Sequence, residues 1–193
     1  MMFPHNRGVL KMKFKLHKQY RLPKFDYAGE GNYFVTICID DRKHHFGEVE
    51  NSEMILSDIG KIVDKIWNEI PTRFNNVELD VYQIMPDHFH GIVIIKGHKS
   101  GKHLINQMPT FKSGIENNPM ELKSISLGGV IRWFKGRVKY EAKKLNPGFK
   151  WQSRFHDRII RNDKEYYFIQ EYIINNPVNW GDGILKKYFD VGI

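Results

Sequence analysis

Cysteine is almost absent from this sequence. The single thiol, Cys38, lies in an apolar run from Phe34 to Ile39, which excludes a disulfide framework and a cysteine-rich zinc site. Long hydrophobic runs are missing too, and no stretch approaches the ~18 consecutive apolar residues of a membrane span. From Met1 to Lys24 there is no Asp or Glu, although seven Lys and Arg stand there. That basic start lacks the apolar block and small-residue cleavage site of a signal peptide. Together these absences predict a reduced, cytoplasmic protein with no membrane partner.

What is present suits a folded domain that meets a polyanion. The chain has 193 residues, 41% of them hydrophobic and 13% aromatic, with a formal net charge of +8. That is enough for one domain with a real core. Beyond the N-terminal block, positive charge gathers at Arg132, Lys135, Arg137, Lys139, Lys143 and Lys144, and again at Lys150, Arg154, Arg158 and Arg161. Trp133, Phe134, Tyr140, Phe149, Trp151 and Phe155 are interleaved with them. Cations mixed with aromatics suit phosphate neutralisation and base stacking on single-stranded nucleic acid. A solvated basic face would have the same composition.

Three segments stand apart from the patterned chain: a basic arm over 1–30, a long insertion over 97–124 rich in Gly, Pro, Asn, Lys and Ser, and a tail over 181–193. Between them lies one domain over 31–180. Tyr33–Ile39 is β-rich and bounded by Gly31 and a polar run, so it is expected to be a strand. Ser57 or Asp58 caps a helix whose apolar residues Ile59, Ile62, Val63, Ile66 and Ile70 recur at helical spacing before Pro71. Val77–Met85 and Gly91–Lys96 read as strands broken at Pro86-Asp87, with His90 opening the second. A helix follows over about Ser126–Leu145, then a strand over Lys150–Arg161. A last helix, capped by Asn162 or Asp163, stops at Pro177. The order β-α-β-β-α-β-α predicts an α+β fold of the ferredoxin-like split βαβ type. It would have an antiparallel four-stranded sheet with helices on one face, plus a C-terminal helix.

Chemistry gathers at two places. In "VYQIMPDHFHGIVIIKG", from Val81 to Gly97, His88 and His90 are two apart and share one face of a strand, with Phe89 on the other. Such a pair can bind a divalent metal, or it can be a polar patch bonded to the backbone. In the last helix Tyr172 and Asn176 are four apart and share a face. The amide oxygen is a hard donor and the phenol a nucleophile, although a buried core tyrosine also fits.

"MPDHFHGIVII" followed by "WQSRFHDRIIRNDKEYYFIQEYIINNPVNW" resembles the REP-associated and related single-tyrosine transposases of the HUH nuclease superfamily (IS200-like). "RLPKFDYAGEGNYFVTICIDDRKHHFGEV" and "SLGGVIRWFKGRV" are similar to the same family, so the resemblance spans most of residues 21–180. It implies that His88 and His90, with Asn176 as third ligand, hold one Mg²⁺ or Mn²⁺. It also implies that Tyr172 on the C-terminal helix is the nucleophile of a metal-dependent endonuclease and strand transferase acting on single-stranded or hairpin DNA. A 5′-phosphotyrosine intermediate would follow. Relatives work as a monomer or a homodimer.

The DNA contacts expected from the basic blocks are Arg132, Trp133, Lys135, Arg137, Lys139, Arg154 and Arg158, with Trp133 stacking on a base. Asp87 could orient a neighbouring histidine, but beside Pro86 it reads first as a turn residue; His156 could reach the metal or DNA, but reads first as part of the basic face. Two rivals share these features: a replication-initiator or relaxase-like nickase, and a non-catalytic nucleic-acid-binding module with the same fold.

Overall fold

The computed structural model describes residues 30–97 and 126–180. The expected arm over 1–30 and insertion over 97–124 therefore lie outside the described residues, apart from Glu30 and Gly97. The tail over 181–193 lies outside them entirely.

Strand β1 (Gly31–Cys38) is followed by a short hairpin, β2 (Gly47–Glu50) and β3 (Glu53–Leu56). Then come α1 (Asp58–Asn68), a single turn α2 (Ile70–Arg73), β4 (Val77–Ile84), β5 (His88–Ile95), α3 (Leu127–Ala142), β6 (His156–Ile160) and α4 (Asp163–Ile174). The main sheet has the order β4-β5-β1-β6 and is antiparallel throughout. This is the α+β, ferredoxin-like order expected from the sequence, with β1 and β5 central. Among the described residues no helix is long and apolar enough to cross a membrane.

Three boundaries differ from expectation. The β2–β3 hairpin was not expected, because Gly47–Leu56 is mostly polar and its alternation is short. β5 begins at His88, so both histidines belong to the strand. β6 begins at His156, and the preceding Trp151 makes only an isolated bridge to Ile39. The helix starts are side-chain caps. Ser57 Oγ accepts from Gly60 N at 3.1 Å, Ser126 Oγ from Gly129 N at 3.2 Å, and Asn162 Oδ1 from Glu165 N at 2.9 Å. Each satisfies one of the unpaired amides of a first helical turn.

The sheet separates two apolar layers. On one face, Tyr33, Val35 and Ile37 of β1 and Phe89, Val93 and Ile95 of β5 pack with α1 and α3 through Trp67, Val130, Phe134 and Val138. The opposite face carries a smaller cluster, Phe34, Ile92 and Ile160 under Ile169 and Ile173 of α4. The site-bearing face is thus roofed by one helix and the main core by two.

Gly91 is what lets the main core reach the histidine strand. A Cβ there would lie 2.7 Å from Trp67 Cζ2 and 3.0 Å from Phe89 Cε1, and the Trp67 and Phe89 rings are themselves 4.4 Å apart. Alanine would gain up to about 1 kcal/mol from backbone entropy, but overpacking a full core costs about 1–3 kcal/mol. Gly91→Ala should therefore lose stability overall, read as a lower urea midpoint with an unchanged slope. A midpoint at or above wild type would show that Trp67 has room to move.

Candidate active site

Alternation along β5 sends His88 and His90 to the α4 face, while Phe89 and Gly91 turn to the main core. Across the sheet, Gln83, His90, Thr36 and His156 form one rung, and Ile92, Phe34 and Arg158 lie in the next. The ring of Phe34 stacks on His90 with centroids 5.5 Å apart. The His88 and His90 rings are 4.6 Å apart at a steep angle. His90 is only 2% exposed.

Each imidazole is oriented through its Nδ1. His90 Nδ1 bonds Thr36 Oγ1 at 2.9 Å. His88 Nδ1 lies 2.6 Å from Asp87 Oδ1, so Nδ1–H donates to the carboxylate and the neutral ring keeps its lone pair on Nε2. Arg42 Nη1 holds the other oxygen of Asp87 at 3.5 Å. Burial works against the Asp87 carboxylate, but His88 and Arg42 outweigh it and keep the group ionised below its ordinary range. This is the arrangement that fixes tautomer and direction in metal-binding histidines. Burial holds the His90 imidazole well below its ordinary value, so it stays neutral, and any positive charge on His88 would push it the same way.

Helix α4 brings the phenol to this pair. Ile169 and Ile173 seat the helix on the sheet, and Asn176, seven residues after Ile169, continues that stripe into the turn beyond the helix. The result is an amide only 3% exposed. Tyr172 OH lies 3.2 Å from His90 Nε2, and its ring meets Phe34 edge-on at 6.0 Å. Burial pushes the Tyr172 phenol above its ordinary value, and the neighbouring Asn176 amide opposes that shift. The Asn176 Nδ2 atom nevertheless has no hydrogen-bond partner of good geometry among the described residues. Trp180 leaves the end of this segment with its ring 5.9 Å from His88 and 5.8 Å from His44.

His88, His90, Tyr172 and Asn176 therefore meet in one place. Among the described residues no three His, Cys, Asp or Glu side chains gather to hold a metal. A cation here would need two imidazoles and a donor of another kind, and the buried side-chain amide of Asn176, next to Tyr172, carries an oxygen of that kind.

The expected DNA contacts do not gather there. α3 packs on the far face of the sheet, with Val130, Phe134 and Val138 turned inward. Arg132, Arg137 and Lys139 are consequently exposed on the side away from Tyr172. Trp133, expected to stack on a base, is half-buried, with its ring edge-on to Phe74 at 5.6 Å. Lys135 Nζ donates to the carbonyl of Gln152 at 2.6 Å and lies near those of Ser153 and Arg154. It braces the approach to β6. Arg154 is exposed before β6. Arg158 shares the site's face and pairs with Glu165, Nη2 to Oε1 at 2.5 Å.

No protein-family model matches the chain. A Haemophilus influenzae protein, described only as uncharacterized, is 37% identical over 165 residues, spanning 84% of this chain and 89% of that one. The chain belongs to that protein's family. Among solved structures, the REP-associated tyrosine transposase bound to a REP hairpin superposes at TM-score 0.55 with 19% identity, over 86% of this chain and 75% of its own. A provisionally named transposase from Deinococcus radiodurans reaches TM-score 0.42 at 14% identity, over 81% of this chain and 97% of its own, which is too loose a match to add to the first. This family member therefore has the REP-associated tyrosine transposase fold.

Two members of the site, Thr36 and Phe34, escaped the sequence reading, and a third, Asp87, was ranked first for another role. Asp87 looked like a turn residue, and only the strand beginning at His88 turns its carboxylate onto the imidazole. Thr36 and Phe34 were hidden in the apolar run of β1, since both faces of a central strand are covered. Their shared parity with Cys38 was the available signal. Thr36→Val keeps the shape but leaves buried His90 Nδ1 without its partner, a change worth about 1–3 kcal/mol. Urea unfolding in the presence of chelator should register that loss, and an unchanged midpoint would remove Thr36 from the site.

Proposed function

We propose that this protein is a metal-dependent single-stranded DNA endonuclease and strand transferase that works through Tyr172. The observation that carries the reading is the Tyr172 hydroxyl 3.2 Å from His90 Nε2, on a helix whose end buries Asn176 beside it. The relative of known fold is a transposase bound to a REP hairpin, which favours hairpin-bearing single-stranded DNA as the substrate here.

His88 Nε2, His90 Nε2 and the Asn176 amide oxygen would hold one Mg²⁺ or Mn²⁺. When bound, the cation polarises a scissile phosphate and neutralises charge in the transition state. Asp87 and Thr36 keep the two rings aimed. With His90 Nε2 given over to the cation, the Tyr172 hydroxyl that it now meets at 3.2 Å could face the phosphorus. The phenol loses its proton to solvent as its oxygen attacks, a Tyr–O–P bond forms, the P–O3′ bond breaks, and the departing oxygen takes a proton from water to become a 3′-OH. The phosphotyrosine keeps the phosphodiester's bond energy, so a second 3′-OH can reverse the step and join strands. Burial of Tyr172 disfavours a resting phenolate and so guards against reaction before the site is loaded.

A labelled pool of hairpin single strands with Mn²⁺ should give a protein–DNA band that survives denaturation. Tyr172→Phe should abolish that band, and chelator should too, while binding to the pool is retained. A band that persists in Tyr172→Phe would move the nucleophile elsewhere. Binding without any band, in wild type as well, would favour a non-catalytic binding module. Removing the partner of His88 should weaken the site without removing a ligand. Asp87→Ala is expected to loosen Mn²⁺ by roughly 10–100-fold in a titration followed by electron paramagnetic resonance. Unchanged affinity would rule out His88 as a ligand oriented by Asp87.

A further inference from the structure

A second polar cleft opens on the same face of the sheet. It has a volume of about 390 Å³ and is lined by Asn32, Asp163, Tyr166, Tyr167 and Gln170. Asn32 precedes Thr36 by four residues on β1, so the cleft lies ~13 Å along that strand from the rung that holds His90. Arg158 sits on the intervening rung, and Arg161 and Lys164 are exposed at the margin.

The cleft is built around Asp80. In the register of β4 against β5, Leu79 faces Val93 and Tyr82 faces Gly91, so Asp80 and Val81 together oppose Ile92 alone. That β-bulge breaks strict alternation and turns both residues toward α4. Val81 joins the apolar cluster there. The Asp80 carboxylate accepts from Tyr166 OH and, at 2.8 Å, from Gln170 Nε2, and its other oxygen accepts from Val81 N at 2.7 Å. Gln170 is thereby fixed with its amide nitrogen committed. Its Oε1 has no partner among the described residues, and neither does the side-chain amide of Asn32. Tyr167, 67% exposed, adds an aromatic face at the rim.

We propose that this cleft reads one unpaired base of the single-stranded DNA, with the base's edge on Asn32, Gln170 Oε1 and Asp163 and its face on Tyr167. The assignment rests on the nuclease reading above and gives it a specificity element. Fixed amides discriminate between base edges, and tyrosine stacks on any base. Two acceptors, the Gln170 oxygen and the Asp163 carboxylate, favour a base with an exocyclic amino group over thymine, which offers them a single N3–H. The surrounding cations would carry the backbone to the cleft.

The test uses the full chain and DNA hairpins with a randomised single-stranded flank, partitioned by binding in Mg²⁺ and sequenced. Wild type should enrich an amino-bearing base at one flank position, at constant spacing from the Tyr172-dependent cleavage point. Gln170→Ala and Asn32→Ala should reduce that preference about fivefold or more at that position alone. Tyr167→Ala, at an exposed position that does not support the fold, should weaken retention of the same base. Circular dichroism confirms that each variant is folded. Variants that keep the wild-type preference at every flank position would overturn the cleft's role, as would enrichment of thymine at the selected position, while the nuclease reading stands. A wild-type protein that retains nothing from the pool and forms no Tyr172 adduct would overturn both.

Discussion

Side-chain alternation along His88–Ile95 is the constraint on which the rest of the structure depends. One residue of register separates a histidine pair facing α4 from a histidine pair driven into the aromatic core. Phe89 and Gly91 settle the register by fitting around Trp67, and β1 locks it by pairing Thr36 with His90 and Cys38 with His88. The core therefore aims the site. Packing on one face of the sheet determines which nitrogen atoms are presented on the other.

The same division explains why the site is stable enough to hold a buried imidazole. His90 and Asn176 are the only buried polar or charged residues among those described, and each is placed by an apolar neighbour. Phe34 stacks on His90, and Ile173 anchors the turn that carries Asn176. Burying a neutral imidazole costs little once Nδ1 is bonded, whereas an unpaired amide nitrogen remains a penalty. Asn176 bears that penalty beside the phenol. Only a hydrogen-bond acceptor brought into the site could satisfy that N–H, and a phosphate oxygen is one such acceptor.

Much of this was legible in the sequence, and the gaps have physical causes. The strands of the main sheet, α1, and α4 with its stop at Pro177 follow from periodicity and capping, and the split βαβ order followed from them. The histidine pair and Tyr172 with Asn176 could be read because strand and helix periods place them on single faces. What could not be read depended on register. The β2–β3 hairpin has too few apolar residues to announce itself. The bulge at Asp80 is a pairing feature with no local signature. The split βαβ order put α1 and α3 together on one face, as found, and Arg132, Arg137 and Lys139 accordingly lie across the sheet from the Tyr172 phenol.

The central claim is that one side chain, Tyr172, carries the reacting oxygen at this histidine pair. Mass spectrometry of the protein after reaction with hairpin DNA in Mn²⁺, nuclease trimming and proteolysis tests it most directly. A single modified peptide is expected, with a 5′-linked nucleotide phosphate on Tyr172. The nucleotide found on Tyr166, Tyr167 or any residue outside α4 would contradict it.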